Sequence, residues 1–285
     1  MRGCPQGMTV LRPQSAGEAV SLFAENPAAR PLAGGTDFMV LWNMGEADGQ
    51  TMLDLSGVRE WRSIRKTAAG LSIGALVTHA ELRDDPVVRR EFPLLAQAAS
   101  VVGAEQIQNR GTLGGNIANA SPAADTLPAL AVYEATVKTV SRKGARGLPL
   151  LQTFAGVKRT SLEPGELIAA IDIPYLPKKP YRQLFRKVGT RAALAISKTV
   201  AAGLVWLERD RTVRELRFAL GSMAPTVRRL RAAEDMVRGK RLSRELAAEA
   251  CELLPRDVSP IDDLRSTAAY RLHVSQNLLS DFLLG

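Results

Sequence analysis

The sequence predicts an α+β fold in more than one domain, and three observations carry that prediction. Short strand-like and helix-like segments follow one another without the regular alternation of strand and long helix that builds a doubly wound parallel sheet. Three prolines stand within the seven residues from Pro174 to Pro180, which marks a domain boundary. The chain has 285 residues, enough for a large core and a second domain.

Ser15 and Glu18 have capping-box spacing ahead of Ala19, Val20, Leu22 and Phe23, so a helix starts there. A glycine turn in ARPLAGGTDFMVLWNMG leads into an apolar run. Residues 51–56 (TMLDLS) and 71–78 (LSIGALVT) read as strands. Thr78 and Glu81 repeat the capping-box spacing, and a further helical stretch runs from Pro93 to Val102. Residues 131–141 (AVYEATVKTVS) and 166–174 (ELIAAIDIP) read as strands again. Beyond the prolines, residues 201–210 and 213–223 are strand-like and helices follow. In the last helix Leu264, Ala268, Leu272, Ser275, Leu279 and Phe282 recur at helical spacing.

Hydrophobic residues make up 46% and charged residues 24%, the balance of an ordinary soluble protein. No apolar run approaches the roughly 20 residues that span a bilayer, and the opening MRGCPQGMTVLRPQ lacks a secretory core. These features point to a cytoplasmic protein with no membrane insertion. Two cysteines, Cys4 and Cys251, exclude a protein-held four-thiolate cluster and give no zinc spacing. With two histidines, His79 and His273, no metal site is expected, so redox chemistry would come from an organic cofactor. His79 follows a helix cap and reads as structural; His273 receives no role. The net charge is +9, and seven Lys/Arg with no acid lie between Pro174 and Leu207. Aromatics are only 5% and no nucleic-acid motif is visible, so no nucleic-acid partner is expected. A basic face of this kind is either solvated or docked on an acidic partner or a phosphate-bearing cofactor.

Two glycine clusters carry the chemistry. Ala33-Gly34-Gly35-Thr36-Asp37 and Gly111-Thr112-Leu113-Gly114-Gly115-Asn116 both join adjacent glycines to a threonine hydroxyl. Such loops converge backbone amides on an anion or simply make tight turns, and the residues alone leave both readings open. Neither matches the dinucleotide fingerprint G-x-G-x-x-G after a strand, nor the P-loop. Asn116, Asn119, Ser121 and Asp125 could line one polar pocket; Asp125 could equally cap the helix that Pro128 enters.

The segment RGTLGGNIANASPAADTLPAL resembles the signature of the flavin-binding (medium) subunits of the molybdenum hydroxylases. AGGTD, IGALVTHAEL, the run from Lys187 to Arg191 and STAAYRLHV match further family blocks in order, over about residues 8 to 284. The resemblance implies a two-subdomain FAD-binding domain of the vanillyl-alcohol-oxidase/PCMH type over 1–176, divided at about 57. A small domain of a three-stranded antiparallel sheet plus helices would follow over 177–285. It implies FAD, held by Leu32, Ala33, Gly34, Gly35, Thr36, Asp37 and Phe38 as the first diphosphate loop. Thr112, Leu113, Gly114, Gly115 and Asn116 would form the second, with amides facing the diphosphate. Asp125 would accept from ribityl or ribose hydroxyls, and Asn119 and Ala120 would lie along the isoalloxazine. Ile168 would give a backbone contact to the ring edge, Val102 would belong to the same cofactor-binding set, and Lys187 would stand near the pyrimidine side and raise the flavin potential. Gln108 departs from the Arg common at its position. No general acid or base and no metal ligand is expected. The implied partners are a large molybdopterin subunit and a small [2Fe–2S] subunit, as a dimer of heterotrimers, with NAD⁺ or another acceptor. A xanthine dehydrogenase is the expected complex, with carbon monoxide or aldehyde dehydrogenase, or a stand-alone flavin oxidoreductase, as alternatives.

Overall fold

The N-terminal strands make the smallest of the larger sheets. In the computed structural model, which describes residues 3–4, 6–47 and 49–285, β1 (Thr9–Leu11), β2 (Arg30–Leu32) and β3 (Thr51–Asp54) pair in parallel in the order β1-β3-β2. Parallel neighbours need crossover connections, and α1 (Ala16–Glu25) and α2 (Phe38–Met44) supply them. The Ser15 hydroxyl accepts from the Glu18 amide and starts α1 where the spacing predicts. The sequence pattern does not announce this parallel unit, because β1 and β2 are three residues each, too short to show a period. The reading of the first 14 residues as free of a leader falls partly on Met1, Arg2 and Pro5, outside the described residues.

The second unit opens with β4 (Ile64–Lys66) and β5 (Gly70–Gly74), then runs through six short helices. These are α3 (His79–Asp84), α4 (Pro86–Glu91), α5 (Pro93–Ser100), α6 (Glu105–Gln108), α7 (Leu113–Ala118) and α8 (Thr126–Val132). The chain returns as β6 (Thr136–Ser141), β7 (Gly144–Pro149), the hairpin β8 (Phe154–Gly156) and β9 (Arg159–Thr160), and β10 (Leu167–Pro174). An antiparallel sheet forms in the order β4-β5-β10-β6-β7. Ile73, Val137 and Ile171 from it close over Leu94, Leu95, Ile117, Leu127 and Leu130 from the helices, all buried. Each such side chain contributes on the order of 2 kcal/mol. Residues 131–141 correct the expectation of one continuous strand. Helix α8 continues through Val132, Glu134 turns the chain at φ 57, and the strand starts at Thr136. Ala129 to Tyr133 are fully packed in the core, and an apolar run of that length suits a buried helix as well as a strand.

The third unit is antiparallel: β11 (Arg182–Val188), β12 (Thr199–Leu207), β13 (Val213–Gly221) and the two-residue β14 (Arg228–Arg229). Three long strands match the implied sheet, and β14 adds a short fourth. Strand β12 is buried on both faces. Ala202, Leu204 and Trp206 join the core containing α8, while Ala201 and Val205 face a second core. That core is built with α9 (Arg231–Val237), α10 (Arg244–Glu252), α11 (Leu254–Asp257) and α12 (Ala268–Leu284). Thr267 caps α12, so the helix begins after Leu264, which is fully exposed. The α+β class is the observed one. Among the described residues no helix is long and apolar enough to cross a membrane.

Candidate functional site

A cleft of about 630 Å³ lies between the parallel sheet and the five-stranded sheet, within the range of small-molecule and cofactor sites. Both glycine clusters line it. The first is the loop from β2 to α2, and Gly35 takes φ +75 within it. A Cβ on Gly34 would sit 1.8 Å from the Arg110 carbonyl oxygen, so only glycine lets this loop lie backbone to backbone against the second. Among the described residues, the amides of Ala33, Gly34, Gly35, Thr36 and Asp37 donate to no acceptor of the chain. Partially buried amides of this kind need an outside partner.

The second cluster is differently built. Thr112 caps α7, its hydroxyl accepting from the Gly115 amide at 3.0 Å. The Leu113 amide donates to the Val77 carbonyl, Gly114 to Ala75 and Asn116 to Thr112, each at 2.9 Å. A Cβ on Gly114 would fall 2.6 Å from that of Ala75. This loop is wedged against the chain after β5, and the expectation that its amides face an anion is corrected accordingly. To the cleft wall it contributes Gly111, Thr112, Gly114, Gly115 and Asn116.

Three polar side chains meet at the cleft. Asn119 donates to Asp37 Oδ1 at 3.0 Å, and Lys158 Nζ donates to Asp37 Oδ1 at 3.1 Å and to Asn119 Oδ1 at 2.6 Å. Lys158 sits at φ 55 in the β8–β9 turn, held by its amide on the Ala120 carbonyl at 3.0 Å. Deeper in the wall, Glu166 accepts from Arg146, Thr139 and the Glu163 amide. Those bonds, the Arg146 guanidinium first, hold its carboxyl down to about 2. His79 is 2% exposed and burial lowers its pKa to about 4.

Of the residues named from the sequence, Leu32, Ala33, Gly34, Gly35, Thr36, Asp37, Phe38, Val102, Thr112, Gly114, Gly115, Asn116, Asn119 and Ile168 line this cleft. Leu113, Ala120, Asp125 and Lys187 do not. Leu113 is fully buried in the main core, and Ala120 is buried at φ 45. Lys187 is not open beside the cleft: its ammonium donates to Asp125 Oδ2 at 2.6 Å and to the Val101 carbonyl at 2.8 Å. Lys187 therefore occupies one oxygen of Asp125, Oδ2. Its second oxygen, Oδ1, is buried without a partner, and burial, opposed by Lys187, pushes its pKa up to about 6. Gln108 is buried as well, accepting from Arg83 and donating to the Ser100 carbonyl. Reasoning from sequence missed Lys158 and Glu166. The turn Gly156-Val157-Lys158 between two short strands was the available signal, and it is a weak one.

Comparison with known proteins shows the family of this chain. The FAD binding domain of molybdopterin dehydrogenase matches residues 6–176, and the CO dehydrogenase flavoprotein C-terminal domain matches residues 184–285. The chain belongs to the FAD-binding medium subunits of the molybdenum hydroxylases. Among these medium subunits it is 32% identical to the xanthine dehydrogenase FAD-binding subunit of Escherichia coli O157:H7 over 262 residues, 92% of this chain and 89% of that one. It is also 32% identical to the carbon monoxide dehydrogenase medium chain of Hydrogenophaga pseudoflava, over 91% of this chain and 90% of that one. The carbon monoxide dehydrogenase of that organism, solved without the Mo-pyranopterin moiety, superposes with a TM-score of 0.91 at 29% identity, covering 97% and 96%. FAD is therefore the cofactor of this oxidoreductase subunit. The cleft suits it: unclaimed amides in the first loop fit a diphosphate, and the volume fits an extended dinucleotide.

Proposed function

We propose that this chain is the electron-transfer subunit of a molybdenum hydroxylase complex of the xanthine dehydrogenase type. When bound, FAD would supply the redox chemistry that links the [2Fe–2S] clusters of a small partner subunit to NAD⁺ or another acceptor. The electrons originate at the molybdopterin centre of a large partner subunit, and the complex would be a cytoplasmic dimer of heterotrimers. Identity to the Escherichia coli subunit supports this reading. Equal identity to the carbon monoxide dehydrogenase medium chain keeps that complex as the second reading.

In this proposal the chain's own residues bind and orient. The first-loop amides from Ala33 to Asp37 hold the diphosphate, with Leu32 and Phe38 flanking them. Thr112, Gly114, Gly115 and Asn116 form the opposing wall. Asn119, Val102 and Ile168 border the rest of the cofactor, and Lys158 adds a cation where a dianion would lie. Asp125 and Lys187 tie β11 to the segment before α8 and act from behind the wall. Residues 1–176 would then be the FAD-binding domain and 177–285 the C-terminal one. The observation that carries the reading is the first loop, whose amides have no acceptor among the described residues and whose residues line a cleft of cofactor size. The visible spectrum of the purified chain tests it. Two flavin bands, released as FAD on denaturation, are expected; a protein that stays colourless after FAD is added would refute it.

A further inference from the structure

His79 has a place that capping and packing alone do not explain. Thr78 and Glu81 form a reciprocal capping box that sets His79 as the first residue of α3. The His79 amide donates to the Gly111 carbonyl at 3.0 Å, which fixes the residue against the second glycine loop. His79 is one of the residues that line the cleft. A Cβ placed on Gly111 would lie 3.2 Å from the imidazole Cδ2 and 3.4 Å from Thr36 Oγ1. The imidazole and the Thr36 hydroxyl thus both border the Cβ side of Gly111, next to Arg110, which Gly34 touches.

Among the described residues the ring makes no hydrogen bond. Nδ1 is buried with no partner, on the edge opposite the one facing Gly111. A buried N–H without an acceptor costs more than a buried lone pair without a donor. The neutral ring therefore carries its proton on Nε2, the nitrogen adjacent to Cδ2 and on the loop side. Burial keeps the ring neutral at physiological pH, so it offers a dipolar donor rather than a charge.

We propose that His79 is a cofactor-positioning residue whose Nε2–H donates to a diphosphate oxygen of FAD, completing the donor set of the first loop. The proposal rests on the FAD reading of the cleft. It gives a task to a side chain that the family blocks mark only as the start of a helix, and it makes the meeting point of the loops the diphosphate subsite.

The test uses the full chain freed of flavin, with FAD and riboflavin as separate probes. His79→Phe keeps the aromatic packing and removes the donor; His79→Gln keeps a terminal N–H. Affinity is read from quenching of flavin fluorescence. His79→Phe should weaken FAD by about tenfold or more, as loss of a hydrogen bond to a charged group does. Riboflavin, which lacks the diphosphate, should bind the variant and the parent alike, and His79→Gln should recover most of the loss. In the parent protein, ¹⁵N spectra of the imidazole should show the Nε2–H signal shift downfield on adding FAD and stay in place with riboflavin. Equal loss for both probes would reduce His79 to packing and overturn the proposal. An unmoved imidazole signal on FAD binding would overturn it too, even where a variant fails to fold. A parent chain that binds no FAD would instead sink the cofactor reading itself.

Discussion

The two glycine loops look alike in sequence and do different work. Among the described residues, the amides of the first loop from Ala33 to Asp37 have no internal acceptor, and all five residues line the cleft. The second uses the amides of Leu113, Gly114, Gly115 and Asn116 to anchor itself to Val77, Ala75 and its own cap. Adjacent glycines permit close approach within the protein in both cases, Gly34 to Arg110 and Gly114 to Ala75, but among the described residues only the first loop leaves its run of amides without acceptors. A motif of Gly, Gly and Thr therefore signals proximity, and only the hydrogen-bond partners show to what.

The largest effects should come from filling the two contacts. Gly34→Ala drives a methyl onto the Arg110 carbonyl and should part the loops, leaving the purified variant without flavin. Gly114→Ala meets Ala75 instead, at 2.6 Å, and should show first as lost stability of about 3 kcal/mol in a denaturant titration. Reversed readouts, with Gly114→Ala stable but colourless, would break the comparison. Next in size is Lys187→Ala, which strands the buried Asp125 carboxylate and should cost about 3 kcal/mol. Lys187→Met combined with Asp125→Asn should regain most of that, because no uncompensated charge is left.

Acid should act on the cleft wall in a definite window. Glu166 has a folded-state pKa of about 2, below its ordinary 4.5, so the unfolded chain binds its proton more readily. Its stabilisation is complete above pH 4.5 and is lost as pH falls from 4.5 towards 2. His79, lowered from 6.5 to about 4 by burial, loses stability in the same direction between those values. Chemical denaturation from pH 7 to 3 should show both steps, and His79→Gln should flatten the upper one. The smallest effect is at the half-exposed Lys158. Lys158→Met should weaken FAD only a few-fold, by about 0.5 kcal/mol, with a shallower salt dependence and unchanged stability.

Much of this architecture was legible where a period or cap is long enough to read. Ser15, Thr78 and the Leu272–Leu279–Phe282 face of α12 are such places. The parallel pairing of β1, β2 and β3 was not, because three-residue strands carry no period. In the site, the contiguous loops were visible and the cross-chain contacts were not. Lys158 reaches Asp37 across 121 positions, and Lys187 meets Asp125 across 62. Nothing local in either sequence segment encodes such a meeting; it is made by the packing of three sheets. The same limit explains why Asp125 reads equally as a cap or a pocket wall, although it makes no cap bond and its Oδ2 meets Lys187.

Hydrogen exchange at the two loops, followed in the flavin-free chain and again with saturating FAD, tests the central claim most directly. Residues 33–38 should exchange fast without FAD and become strongly protected with it, while residues 113–116 are protected throughout. Equal gains in both loops, or a gain confined to the second, would contradict the division of labour described for them.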